Sequence, residues 1–82
     1  MYATFFYSKN TGKIKSYCIT ETPQDLNYFG EDKVDYELIY DFLTFEYNEE
    51  VEMIIRNRDI FVVDLDTKEI TQKNVILDIK RI

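Results

Sequence analysis

One short loop constrains this chain more than any other segment. Ser8-Lys9-Asn10-Thr11-Gly12-Lys13 separates two strand-like runs, with Gly12 where a three-to-five-residue hairpin loop needs a left-handed residue. Before the loop, Met1–Tyr7 is rich in aromatics, and Thr4 is its only polar side chain besides the tyrosine hydroxyls. After it, Ile14–Glu21 alternates, with Lys15, Tyr17 and Ile19 on one face and Ile14, Ser16, Cys18 and Thr20 on the other. An antiparallel hairpin is the expected result.

Thr22-Pro23-Gln24-Asp25 breaks the second strand, and residues 22–33 read as a loop with one helical turn after Thr22. Residues 34–47 fit two periods. Val34, Tyr36, Leu38, Tyr40 and Phe42 recur every second position, whereas Tyr36, Ile39, Tyr40, Leu43 and Tyr47 recur every third or fourth. Aromatic and β-branched enrichment favours a strand over roughly 36–47; a helix over 34–47 is the alternative. Asn48 suits a helix N-cap, Glu49 and Glu50 suit the positive helix end, and Val51, Ile54 and Ile55 share a face. With Arg56 and Arg58 at the far end, these residues predict one short helix at about 49–57.

Ile60–Asp64 then reads as a strand, Leu65-Asp66-Thr67-Lys68 as a turn, Glu69–Thr71 as its return and Val75–Ile79 as a last strand. The turn echoes the first loop: Lys9-Asn10-Thr11-Gly12-Lys13-Ile14 and Leu65-Asp66-Thr67-Lys68-Glu69-Ile70 share Asn or Asp, Thr, a turn residue, a charge and Ile in order. Asn and Asp bond their own backbone at turn starts, so two hairpins with the same turn chemistry explain the echo without a duplication. The expected fold is α+β and mainly antiparallel β: one small sheet of five or six strands with one short helix, in a single domain over 1–82. At 82 residues there is no room for a second core.

Composition narrows the chemistry. The chain lacks His, which removes the commonest general base, metal ligand and near-neutral proton switch together. Gly12 and Gly30 are isolated, so no glycine-rich phosphate loop exists, and Ser8 and Ser16 lack a nucleophile motif. Asp64, Asp66 and Glu69 space oxygens as part of a calcium loop does, but without its glycine and distal glutamate. No catalytic residue, cofactor or metal is expected. The lone Cys18 has no internal disulfide partner and suits a small apolar strand position. No apolar run approaches the roughly 18 residues of a membrane span, so a cytoplasmic, non-membrane protein is expected.

Charge is unevenly distributed. Eleven of sixteen acids lie between Glu21 and Glu52 with Lys33 as the only cation there, giving −10 for that stretch and +4 for the ends. Asp35, Glu37, Asp41 and Glu46 interleave with Tyr36, Tyr40, Phe42, Phe45 and Tyr47, and Glu49, Glu50 and Glu52 continue the run. Were residues 36–42 extended, Asp35, Glu37 and Asp41 would share a face at about 6.6–7 Å intervals, close to successive phosphates of a nucleic-acid strand. Such a row would fit an Arg/Lys groove built for nucleic acid. The plainer reading is the solvated face of an edge strand, charged against edge-to-edge pairing. Asp25 begins the 25–52 acidic and aromatic surface expected to bind a partner, and Tyr28 and Phe29 near it are either interface anchors or a core lid.

Tyr7-Ser8-Lys9-Asn10-Thr11-Gly12-Lys13-Ile14 and Val63-Asp64-Leu65-Asp66-Thr67-Lys68-Glu69-Ile70 resemble the hairpin wording of small phage and prophage proteins of low-GC Gram-positive bacteria. In size and acidity the chain is similar to phage anti-CRISPR inhibitors that mimic nucleic acid. The resemblance implies a non-catalytic acidic protein that occupies the basic nucleic-acid groove of a host defence protein in the host cytoplasm. It would not bind nucleic acid itself, and a homodimer stays open. The alternative is a small phage assembly subunit that oligomerises through a sheet edge.

Overall fold

The computed structural model describes residues 1–73. The strand expected over Val75–Ile79 lies outside the described residues. Strands β1 (Tyr2–Ser8), β2 (Ile14–Thr20) and β3 (Tyr40–Glu46) form an antiparallel sheet in the order β2-β1-β3. Between β2 and β3 run a 3-10 segment, Leu26–Asp32, and a one-turn helix α1, Lys33–Tyr36. Helix α2 (Glu49–Arg56) follows β3, and a second hairpin, β4 (Phe61–Asp64) with β5 (Glu69–Gln72), forms a separate two-stranded ladder. The fold is α+β with mainly antiparallel strands. Among the described residues, five strands divide between two ladders, which a bridge from Lys13 to Val62 connects.

β1 is central because it can be buried on both sides. Ala3, Phe5 and Tyr7 point to one face and meet Val51 of α2 and Phe61 and Val63 of β4, with Leu43, Ile54, Ile55 and Ile70 packed around them. Thr4 and Phe6 point to the other face, where Phe29 and Tyr28 lie over Phe6 at ring-centroid distances of 4.6 and 5.8 Å. The sheet is therefore sandwiched between α2 with the second hairpin below and the 26–36 segment above. Each fully buried aromatic contributes roughly 1.5–3 kcal/mol of transfer free energy.

The strict alternation expected in β2 does not hold. Phe6 pairs with Ser16 but Tyr7 pairs with Ile14, so Lys15 is the extra residue of a β-bulge. The bulge turns Ile14 onto the same face as Tyr17 and Ile19. Ile14 thereby enters the core beside Tyr7 while the Lys15 side chain stays in solvent.

The echoed turns have matching local geometry. In the first, Ser8 Oγ accepts from the Asn10 and Thr11 amides at 3.2 and 3.3 Å, and the Gly12 amide donates to the Ser8 carbonyl. In the second, Asp64 Oδ1 accepts from the Asp66 and Thr67 amides at 2.9 and 3.2 Å, and the Lys68 amide donates to the Asp64 carbonyl. Both end on a left-handed residue, Gly12 at φ 78° and Lys68 at φ 61°. Asp64 and Asp66 thus shape a turn, and no metal-ligand group of three occurs among the described residues.

Two other local expectations shift. The turn after Thr22 begins later, at Leu26, because Asp25 caps it by accepting from the Asn27 amide at 2.8 Å. Helix α2 starts where expected, with Asn48 Oδ1 accepting from the Val51 amide at 2.9 Å. It ends one residue earlier than the expected 49–57.

Above the sheet, Thr44 donates to the Gln24 carbonyl at 2.8 Å and sits 3.0 Å from the Thr4 hydroxyl. Thr44 has one proton, so Thr4 must donate to Thr44. Thr44→Val strands both the Thr4 hydroxyl and the Gln24 carbonyl, at a cost of roughly 1–3 kcal/mol. Thr4→Val leaves the Thr44–Gln24 bond intact and is expected to cost less. Urea denaturation of the two variants checks that order.

Candidate binding surface

Residues 33–41 do not form the extended acidic row. Lys33–Tyr36 is helical, and the turn continues through Glu37, whose amide donates to the Lys33 carbonyl at 2.9 Å. The Leu38 and Ile39 amides likewise reach back to Asp35 and Tyr36. Tyr36 explains the departure from the strand expected over 36–47: its ring stacks on Phe29 at 4.2 Å and on Tyr40 at 5.6 Å, closing the lid over Phe6. A strand over 36–39 would forfeit these contacts. The phosphate-like spacing of Asp35, Glu37 and Asp41 is therefore absent.

β3 divides the remaining acids. Asp41 and Glu46 are separated by about 17 Å of strand, and they point to opposite faces, Asp41 beside Tyr7 and Glu46 beside Tyr2. Asp35 and Glu37 lie before the Tyr40 end. Glu46, Glu49, Glu50 and Glu52 gather at the other end, with Glu49, Glu50 and Glu52 in the first turn of α2. Asp25 is close to the middle of β3 through its neighbour Gln24.

Among the described residues one of these acids is ion-paired, and other cations lie near the stretch without meeting a carboxylate. Lys9 Nζ donates to the Glu37 carbonyl, and Arg56 pairs with Glu52 at 3.1 Å. Lys68 and Asp41 both act on the Tyr7 hydroxyl. Burial raises the Tyr7 pKa first, Asp41 raises it further, and Lys68 opposes them. Asp41 also accepts from the Phe42 amide at 2.9 Å. The bonds from Lys9 to Ile39 and from Tyr47 to Met1 fix which β3 groups face β1, and by alternation the Phe42 amide faces the outer edge. Asp41 therefore covers one outward amide of β3, whereas Asp35 and Glu37, expected on the same edge-strand face, lie outside the strand.

Tyr28 and Phe29 pack over Phe6 as a lid, and Tyr28 is 50% exposed. Cys18 is buried in β2, and desolvation raises its thiol pKa, as expected of an inert packing position.

The feature that periodicity concealed lies on and just after α1. Val34 is 64%, Leu38 76% and Ile39 48% exposed, an unusual concentration of apolar surface within six residues. Asp35 and Glu37 alternate with them, and Glu31 and Asp32 immediately precede α1. The spacing of Val34 and Leu38, four apart, was the available signal. The every-second-residue reading instead places both in one series with Tyr36, Tyr40 and Phe42. No helix among the described residues is long and apolar enough to cross a membrane. No family model matches the chain, and no curated protein or solved structure is detectably similar to it.

Proposed function

We propose that this chain is a non-catalytic acidic binding protein whose 31–39 surface docks on a basic protein partner. The supporting observation is the exposed Val34, Leu38 and Ile39 centre interleaved with Asp35 and Glu37. Apolar side chains supply area at the centre of an interface, and surrounding charges select a partner of opposite sign and accelerate encounter. A nucleic-acid-processing host protein supplies such a surface, and occupying it is how a phage anti-defence inhibitor would act. In this reading Glu46, Glu49 and Glu50 form a second acidic contact at the far end of β3, and the partner groove spans both.

Capture from host lysate by the wild-type chain and by Asp35→Lys/Glu37→Lys/Leu38→Ser tests the reading. A basic partner retained by the wild type, released by salt and lost by the variant supports it. Competition by duplex DNA supports occupancy of a nucleic-acid groove. A partner bound equally by the variant removes the 31–39 surface from the proposal.

The second reading is an assembly subunit. The outward backbone groups of β3 have no strand partner among the described residues, which leaves an edge for a second copy. Light scattering across concentrations separates the two: a closed oligomer or fibre favours assembly, and a monomer that takes up a basic partner favours inhibition.

A further inference from the structure

The cations of this acidic chain are not dispersed over its surface. Lys13, Arg56, Arg58 and Lys73 line one cleft of about 320 Å³, and Asp59 is the only acid among the described residues that line it. They account for half of the eight cations in the described residues, in a chain of net charge −6. Gathering four like charges costs Coulombic energy that an anion in the cleft would relieve. We propose that this cleft binds a small phosphorylated ligand.

The cations are held by their surroundings. Arg58 donates to the Ile55 carbonyl at 2.8 Å and lies 4.6 Å over the Tyr17 ring, which orients its guanidinium while other N–H groups have no partner among the described residues. Lys13 and Lys73 are placed through their backbones, by the bridge to Val62 and by the Lys73 amide, which donates to the Ile60 carbonyl at 2.7 Å. Arg56 is tethered at one nitrogen by Glu52. Arginine forks and lysine ammonium groups together suit the several oxygens of a phosphate or diphosphate.

Ile14 and Ile55 supply apolar floor for an organic group attached to that phosphate. Size and charge favour a small ligand over nucleic acid. A long polyanion would extend from the cleft over the rest of a molecule whose net charge is −6. The cleft involves none of residues 31–39, so the outcome for one site does not decide the other.

The test is a titration of the isotopically labelled full chain with inorganic pyrophosphate at constant ionic strength, followed by amide chemical shifts. Saturable shifts confined to Lys13, Ile55–Asp59 and Lys73 are expected. Lys13→Gln/Lys73→Gln should weaken binding about tenfold or more without lowering the melting temperature in pyrophosphate-free buffer. Lys15→Gln/Lys33→Gln removes equal charge elsewhere and should leave binding within about twofold. Shifts that never saturate, or equal weakening by both double variants, would overturn the proposal. Tighter binding per phosphate by a long single-stranded oligonucleotide would overturn the assignment to a small ligand.

Discussion

Gly12→Ala is expected to destabilise the protein by roughly 3 kcal/mol or more, combining the left-handed penalty of about 1–2 kcal/mol with a steric displacement and a weakened hydrogen bond. A Cβ at residue 12 would stand 2.0 Å from the Val63 carbonyl oxygen, a backbone atom that can retreat only if β4 moves. The same contact region holds the 2.8 Å bond from the Val63 amide to the Gly12 carbonyl, beside the Lys13–Val62 bridge. Moving β4 therefore loosens the docking of the second hairpin on the first. For a domain of this size each kcal/mol lowers the melting temperature by about 4–8 °C.

Gly30→Ala is the control. Gly30 also has positive φ, at 61°, but an added Cβ would meet nothing within 4 Å. Its cost is torsional and local to the lid. Hydrogen exchange at the Val63 amide should accelerate strongly in Gly12→Ala and little in Gly30→Ala. Equal acceleration in both would mean that hairpin docking does not depend on the close approach at residue 12.

Phe6→Ala is expected to cost about 3–5 kcal/mol, the range for deleting a buried phenylalanine. Phe6 is 1% exposed, and nothing else on its face of β1 offers a ring to Phe29 and Tyr28. Removing it opens a cavity and leaves the stacked series Phe29, Tyr36 and Tyr40 without a floor. Phe29→Ala should cost less, because Phe29 is only half-buried. Since the lid presents Val34 and Leu38, Phe6→Ala should also weaken the partner binding proposed for that surface without altering any exposed residue. A loss below about 1.5 kcal/mol in urea denaturation would indicate that the lid is held elsewhere.

The elements legible in the sequence were those decided by neighbouring residues. Gly12 after Asn-Thr marked the first hairpin, Asn48 before two glutamates marked α2, and Asp66-Thr67 marked the second turn. Residues 34–47 were ambiguous because both periods are used, one after the other: α1 takes residues 33–36 and β3 takes 40–46. Which period won where depended on Tyr36 finding Phe29, a contact no local pattern contains. The bulge at Lys15 was hidden for the same reason, since the demand for Ile14 in the core comes from Tyr7 and Val63. The acidic stretch looked like one surface because it is continuous in sequence. β3 carries its two halves apart, while the clefted cations come from positions 13 to 73 and meet only in the folded chain.

The doubly covered position of β1 also affects how the protein must be made. Tyr2–Ser8 leaves the ribosome well before Tyr40–Glu46, its partner on one side, and before Val51, Phe61 and Val63, which roof its aromatic row. During that interval Ala3-Thr4-Phe5-Phe6-Tyr7 is a sticky, uncharged segment able to pair with the same segment on another nascent chain. Rapid closure of the first hairpin protects one of its two edges. The other waits for synthesis to reach β3, so crowded polysomes are where this protein would aggregate first.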